Sequence, residues 1–274
     1  MAKEQASVLD GLRVDPGDPA KLAKRDPAAR QGLGEKADGQ ARSVELLDEL
    51  DNLHNRLWAE AERSVVLVLQ GMDAAGKDGT IRRVLTGLNP QGCSVVNFKV
   101  PTELDRAHDY LWRIHTALPA RGILGVMNRS HYEDVVVARV VGVVDDEQCD
   151  RRYRHIREFE RMLSDEGTTV VKVFLHLSKD AQRDRLQARI DDPAKNWKFR
   201  RADLDVRARW DEYQARYEAA ITATSTEWAP WYVIPADHKW VRDVAVAQLL
   251  VETLSRLNPQ IPDPEAGLEG LVVE

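Results

Sequence analysis

The hydrophobic pattern changes character along the chain. From about Gln40 to Ala61, Leu46, Leu50, Leu53 and Leu57 recur at steps of four, three and four, which predicts an amphipathic helix. Short apolar runs then alternate with helical stretches. Ser64–Leu69 (SVVLVL), Ser94–Val100, Gly122–Met127 and Thr169–Leu175 read as strands, and Trp231–Ile234 reads as a last one, followed by a helix from about Trp240 to Leu257. Strands that are apolar throughout and separated by helices predict βαβ units, hence a parallel sheet covered on both faces. Before Gln40 the chain is rich in Pro, Gly, Asp and Lys and shows neither period, so residues 1–39 read as an irregular arm. Residues 258–274 read as a flexible tail, leaving 40–257 as the folded domain.

Composition narrows the classes. The 274 residues are 43% hydrophobic and 31% charged, enough for a sizeable core and a solvated surface. No apolar run reaches the roughly 18 to 20 residues of a membrane span, and the N-terminus lacks the apolar segment of a secretory signal. Cys93 and Cys149 have no metal-ligand or disulfide spacing, which fits a reducing cytoplasm. The net charge of −6 argues against nucleic acid as a partner. Yet residues 183–209 carry nine basic side chains against five acidic ones, a local patch suited to a small or linear polyanion.

The sharpest local signal is Gly71-Met-Asp-Ala-Ala-Gly76-Lys77, a GxxxxGK between the strand Ser64–Leu69 and a helical segment at Asp78–Leu88. Its glycines let backbone N–H groups curl around phosphate oxygens, and the helix N-terminus and Lys77 add positive charge. Two departures from the usual motif matter. Asp78 replaces the Ser/Thr that offers Mg²⁺ a hydroxyl, and reads as charge compensation at the helix start. Asp73 places a carboxylate inside the loop, where it would repel phosphate unless a cation lies between; it is a candidate Mg²⁺ ligand or acceptor-orienting group, with an Asx-type turn as the competing role. Arg82 and Arg83 point to phosphate or to solvent.

The strand Gly122–Met127 ends in Asn128-Arg129-Ser130-His131-Tyr132. Ligands of doubly wound sheets sit at the carboxyl ends of strands, so these side chains are expected at the same crevice, with Arg129 as a phosphate clamp. The basic window falls where nucleotide kinases carry a mobile lid; Arg185, Arg189, Lys195 and Lys198 are its preferred members. The seven histidines show no metal-binding spacing.

Five ordered blocks, GMDAAGKDGT, NPQGC, LPARG, NRSHYEDV and DDPAKNWKF, resemble the polyphosphate kinase 2 family over about Gln40–Leu257. The resemblance implies a P-loop kinase-like α/β fold in three layers, with a central parallel sheet, helices on both faces and a helical basic lid. It implies transfer of the terminal phosphate of polyphosphate to an adenine nucleotide, with guanine nucleotides as further acceptors, Mg²⁺ or Mn²⁺ as cofactor, and no covalent enzyme intermediate. Asp73, Lys77 and Arg129 match the family's essential residues. Gly71, Ala74, Ala75, Gly76, Lys77, Asp78, Gly79 and Arg82, with Arg185, Arg189, Lys195 and Lys198 of the lid, form the expected polyphosphate set; Asn128, Arg129 and Glu133 form the nucleotide set. Many relatives have Asp where this chain has Asn128, and the amide resembles the subgroup that accepts AMP as well as ADP. A homo-oligomer, dimer or tetramer, is expected, with the Leu46–Leu57 stripe as one interface option. The rival readings are an ATP-dependent nucleoside monophosphate kinase and a non-catalytic nucleotide sensor.

Overall fold

Helices and strands in the computed structural model follow the hydrophobic pattern closely; residues 7–268 and 271–273 are described. The strands are β1 (Arg13–Val14), β2 (Ser64–Gln70), β3 (Cys93–Asn97), β4 (Leu124–Asn128), β5 (Thr168–His176) and β6 (Trp231–Pro235). The helices are α1 (Lys36–Glu60), α2 (Lys77–Val84), α3 (Glu103–Arg106), α4 (Trp112–His115), α5 (Val137–Val140), α6 (Asp146–Asp165), α7 (Lys179–Asp191), α8 (Ala202–Ala208), α9 (Trp210–Thr224) and α10 (Lys239–Leu257). The sheet runs β1-β6-β5-β2-β4-β3, with β2 at its centre. Every neighbouring pair is parallel except β1–β6.

Alternation along β2 explains the three layers. Val65, Leu67 and Leu69 join one core cluster with Leu46, Leu50 and Leu57 of α1 and Val244, Leu250 and Leu254 of α10. Val66 and Val68 face the opposite cluster, with Ile156 of α6, Tyr213, Tyr217 and Ile221 of α9, and Phe174 and Trp231. Each fully buried Leu or Val contributes about 1.5–3 kcal/mol relative to exposure. Leu46, Leu50 and Leu57 are fully buried within the protomer, so the stripe offered as an interface option is spent on α10.

The N-terminal segment departs from expectation. Met1–Ala6 lie outside the described residues, but the remainder of the arm is not irregular throughout. Arg13 and Val14 pair antiparallel with Tyr232 and Trp231 as an edge strand, and Leu12, Val14, Ala20 and Leu22 are buried. Helix α1 starts at Lys36 rather than near Gln40, because the Glu35 N–H donates to the Asp38 carboxylate (2.7 Å) and sets the first turn. Beyond α10, residues 258–268 form no regular element; the tail positions 269, 270 and 274 lie outside the described residues.

Candidate active site

The parallel strands deliver their carboxyl ends to one edge of the sheet. Leu69 near the end of β2 is in register with Asn128 at the end of β4, and β5 follows on the other side of β2. Gly71–Gly76 leaves β2 and enters α2 directly, so the loop's N–H groups merge with the unpaired N–H groups of the helix start. Lys77 folds over the loop, its Nζ donating to the carbonyls of Gly71 (2.6 Å) and Met72 (3.4 Å). Burial pulls the Lys77 ammonium below its ordinary value, against the pull of Asp73.

Arg129 reaches the loop from β4. It adopts a left-handed backbone with φ 65°, which costs about 1–2 kcal/mol for a non-glycine residue. Its N–H donates to the Leu69 carbonyl (3.0 Å), fixing that conformation, and its guanidinium pairs with Asp73 (3.3 Å). Burial would lower the Arg129 pKa, but Glu133 and Asp73 outweigh it and hold the guanidinium charged. Burial raises the Glu133 pKa, with Arg129 and Lys77 opposing; Gln70, its amide nitrogen turned toward the carboxylate, donates to Glu133 (2.9 Å). Asn128 is buried and its amide donates to Asp78 in the first turn of α2 (2.7 Å). Asp73, Lys77, Asp78, Asn128, Arg129 and Glu133 therefore share one site.

Ser130, His131 and Tyr132 do not line the crevice as expected. They are buried on the core side. The Tyr132 hydroxyl donates to Glu160 (2.9 Å), His131 Nε2 lies 3.2 Å from the same carboxylate, and Lys172 Nζ pairs with it at 2.6 Å. Lys172 also donates to the Thr224 carbonyl (2.7 Å). After Asn128 the left-handed residue Arg129 and the helical turn His131–Asp134 thus send Arg129 and Glu133 to the site and His131 and Tyr132 to an anchor beneath it. Lys172 interrupts the apolar stretch from Val170 to Leu175 in β5, the one sequence cue to this anchor.

The lid window divides in two. At its base, Gln182 of α7 donates to the Asp73 carbonyl (3.0 Å). Arg185, expected on the polyanion path, instead donates to the backbone carbonyls of Ala74 and Ala75 (both 3.0 Å) and of Asp237 (2.9 Å). Burial, with Arg242 nearby, pushes its pKa down to about 10. At the far end Lys195 and Lys198 are exposed, Lys195 beside Asp192 and Lys198 over the Trp197 ring. Arg189 pairs with Asp203 of α8 (3.6 Å). Burial raises the Asp203 carboxyl, and Asp73 adds to the rise, so the lid presents an acid as well as bases to the loop. Arg82 is exposed, while Arg83 donates to Ser43 of α1 (3.3 Å) and braces two helices. Arg242 of α10 carries no local sequence signal: 2% exposed, it donates to the Ala75 carbonyl (3.3 Å) from a position remote in the chain.

Among the described residues no three His, Cys, Asp or Glu side chains cluster as a metal cage. The half-buried Asp73 beside the loop nevertheless suits Mg²⁺, which is commonly held by one or two carboxylates together with substrate phosphate and water.

A GxxxxGK loop between a central parallel strand and a helix, faced by Arg129 and Glu133 from beyond the end of the neighbouring β4, defines a P-loop α/β protein. The sequence profile described as Polyphosphate kinase 2 matches residues 34–262. The chain belongs to the polyphosphate kinase 2 family. It is 54% identical over 265 residues to the AMP/ADP-polyphosphate phosphotransferase of Meiothermus ruber, covering 96% of this chain and 98% of that protein. It is 46% identical over 229 residues to the ADP-polyphosphate phosphotransferase of Rhodopseudomonas palustris, covering 79% of each. The crystal structure of polyphosphate kinase 2 from Arthrobacter aurescens superposes with a TM-score of 0.93 at 43% identity, covering 97% of this chain and 95% of that one. No helix among the described residues is long and apolar enough to cross a membrane.

Proposed function

We propose that this protein transfers the terminal phosphoryl group of inorganic polyphosphate to AMP and ADP, reversibly and without a covalent enzyme intermediate. The observation that carries the reading is the Asp73–Arg129 pair, at 3.3 Å, set beside Lys77 at the mouth of the loop. The identity to a relative that bears AMP/ADP-polyphosphate phosphotransferase as its name supports the choice of donor and acceptors.

An oxygen of the nucleotide's terminal phosphate attacks the end phosphorus of the chain. The new P–O bond forms as the bond to the next phosphate breaks, and the chain leaves one unit shorter. Positioning and charge stabilisation supply most of the rate in such transfers. The loop N–H groups and Lys77 hold the donor phosphates, and Arg129 bridges donor and acceptor oxygens. Glu133 keeps Arg129 aligned, and Asn128 faces the acceptor. Asp73 would hold Mg²⁺, or Mn²⁺ in its place, whose charge neutralises the phosphates. Lys195 and Lys198 bind the outer chain, and guanine nucleotides are further acceptors. The setting is cytoplasmic, in keeping with the free thiols of Cys93 and Cys149, and the protein acts as a homo-oligomer without nucleic acid or membrane.

The test is separation of nucleotide products after incubation with Mg²⁺, polyphosphate and AMP or ADP, beside ATP as donor to AMP. Product from polyphosphate is expected, with Lys77→Ala lowering the rate by about 10²–10³. Product from ATP and AMP alone would replace this reading with a monophosphate kinase.

A further inference from the structure

The outer side of the phosphate loop is held by two arginines. Arg185 Nη1 and Arg242 Nη1 both donate to the Ala75 carbonyl, at 3.0 and 3.3 Å. Arg185 Nη1 also takes the Ala74 carbonyl (3.0 Å), and its Nη2 is tied to Ala236 and Asp237 after β6. Arg242 is fixed in turn by Asp243, which accepts from Nε (2.9 Å) and Nη2 (2.7 Å). Gly76 fits against this pair because it lacks a side chain: a Cβ there would lie 1.9 Å from Arg242 Nη1, and its φ of 108° favours glycine in any case.

Peptide geometry links this outer side to the inner one. In a trans peptide the N–H points opposite to the C=O. With the Ala75 carbonyl directed at the guanidiniums, the Gly76 N–H of the same peptide turns toward the concave side of the loop. A carbonyl accepting from two cations is polarised, and cooperative polarisation strengthens the donor at the other end.

We propose that Arg185 and Arg242 are positioning residues that clamp the Ala75–Gly76 peptide, setting the direction and strength of the Gly76 N–H as a donor to the transferring phosphate. Neither guanidinium touches substrate in this arrangement; both act through one peptide. The inference rests on the phosphate-transfer reading above. Removing the clamp weakens an interaction that grows as charge spreads over the phosphoryl oxygens, so the loss falls on kcat more than on KM.

The experiment compares Arg185→Met, Arg185→Lys, Arg242→Met and the double methionine variant by thermal transition and by steady-state kinetics with polyphosphate and AMP. Folded methionine variants are expected to lose about 10- to 100-fold in kcat while each KM moves less than about threefold. Arg185→Lys recovers part of the loss, since one cation still reaches the carbonyl. The double variant loses less than the product of the single losses, because both arginines act on the same peptide. A folded methionine variant with wild-type kcat overturns the clamp, as does a loss confined to KM. Should Arg242→Met not fold, the Arg185 pair decides alone, because Arg185 lies at the edge of the core. Should the wild type use ATP and not polyphosphate, the phosphate-transfer donor is wrong, yet the same kcat comparison with ATP still tests the clamp.

Discussion

Asn128 shows how one atom type shapes the site. Its amide donates to the Asp78 carboxylate at 2.7 Å, a contact that an aspartate cannot make without a proton or a cation between the two acids. Asn128→Asp would place two carboxylates together at the start of α2 and repel an incoming acceptor phosphate. The expected outcome is a shift of the AMP-to-ADP rate ratio by severalfold, with a steeper dependence on Mg²⁺. Parallel assays of both acceptors across a Mg²⁺ titration check it, and an unchanged ratio counts against a role for Asn128 in acceptor choice. Arg129 shows the complementary point: its type was legible as a phosphate clamp, but its left-handed backbone and its Asp73 partner were not.

At the scale of elements, the turn after β4 depends on a buried polar anchor. Glu160 of α6 accepts from Tyr132 and Lys172, and both ion-pair partners are fully buried. Lys172→Met leaves the Glu160 carboxylate uncompensated and is expected to cost about 3–5 kcal/mol, read as a fall in the denaturation midpoint. Glu160→Gln together with Lys172→Met should recover much of that loss. The anchor also sets an acid limit. Burial raises the Glu160 pKa, but Lys172 and His131 outweigh it and hold it below its ordinary 4.5. The unfolded chain therefore takes up this proton first. The stability it confers is complete above about pH 4.5 and is lost as pH falls through the folded value. Thermal scans from neutral pH downward should show a shallower decline in the double variant than in the wild type.

Across the whole molecule, charge is divided by place. The chain carries −6 overall, yet its exposed lid end displays Lys195 and Lys198. Salt screens exposed charges over about 10 Å at 0.1 M, so the KM for polyphosphate is expected to rise with ionic strength more steeply than the KM for AMP. Lys195→Ala with Lys198→Ala should flatten that slope by an amount on the order of one per lysine while changing kcat little, as in other polyanion contacts. Equal slopes in the variant and the wild type would remove these lysines from the polyanion path.

The sequence alone determined the elements whose signals are local. The apolar β-branched runs became β2, β4, β5 and β6 within a residue or two, because central parallel strands are buried on both faces and need no partner to be recognised. The GxxxxGK loop was legible for the same reason, since strand, glycines and lysine are contiguous. Segments whose order comes from distant contacts were not legible. Arg13 and Val14 form a strand only because Trp231 and Tyr232 offer an open edge. Gly39 reads as a loop residue, yet it lies inside α1 where Trp240 packs so closely that a Cβ would come within 2.3 Å. Neither Arg185 nor Lys172 shows its partners in its local sequence. Only the tertiary structure separated a guanidinium beneath the phosphate loop from an ammonium buried on Glu160, because a charge takes its role from the groups that replace its water.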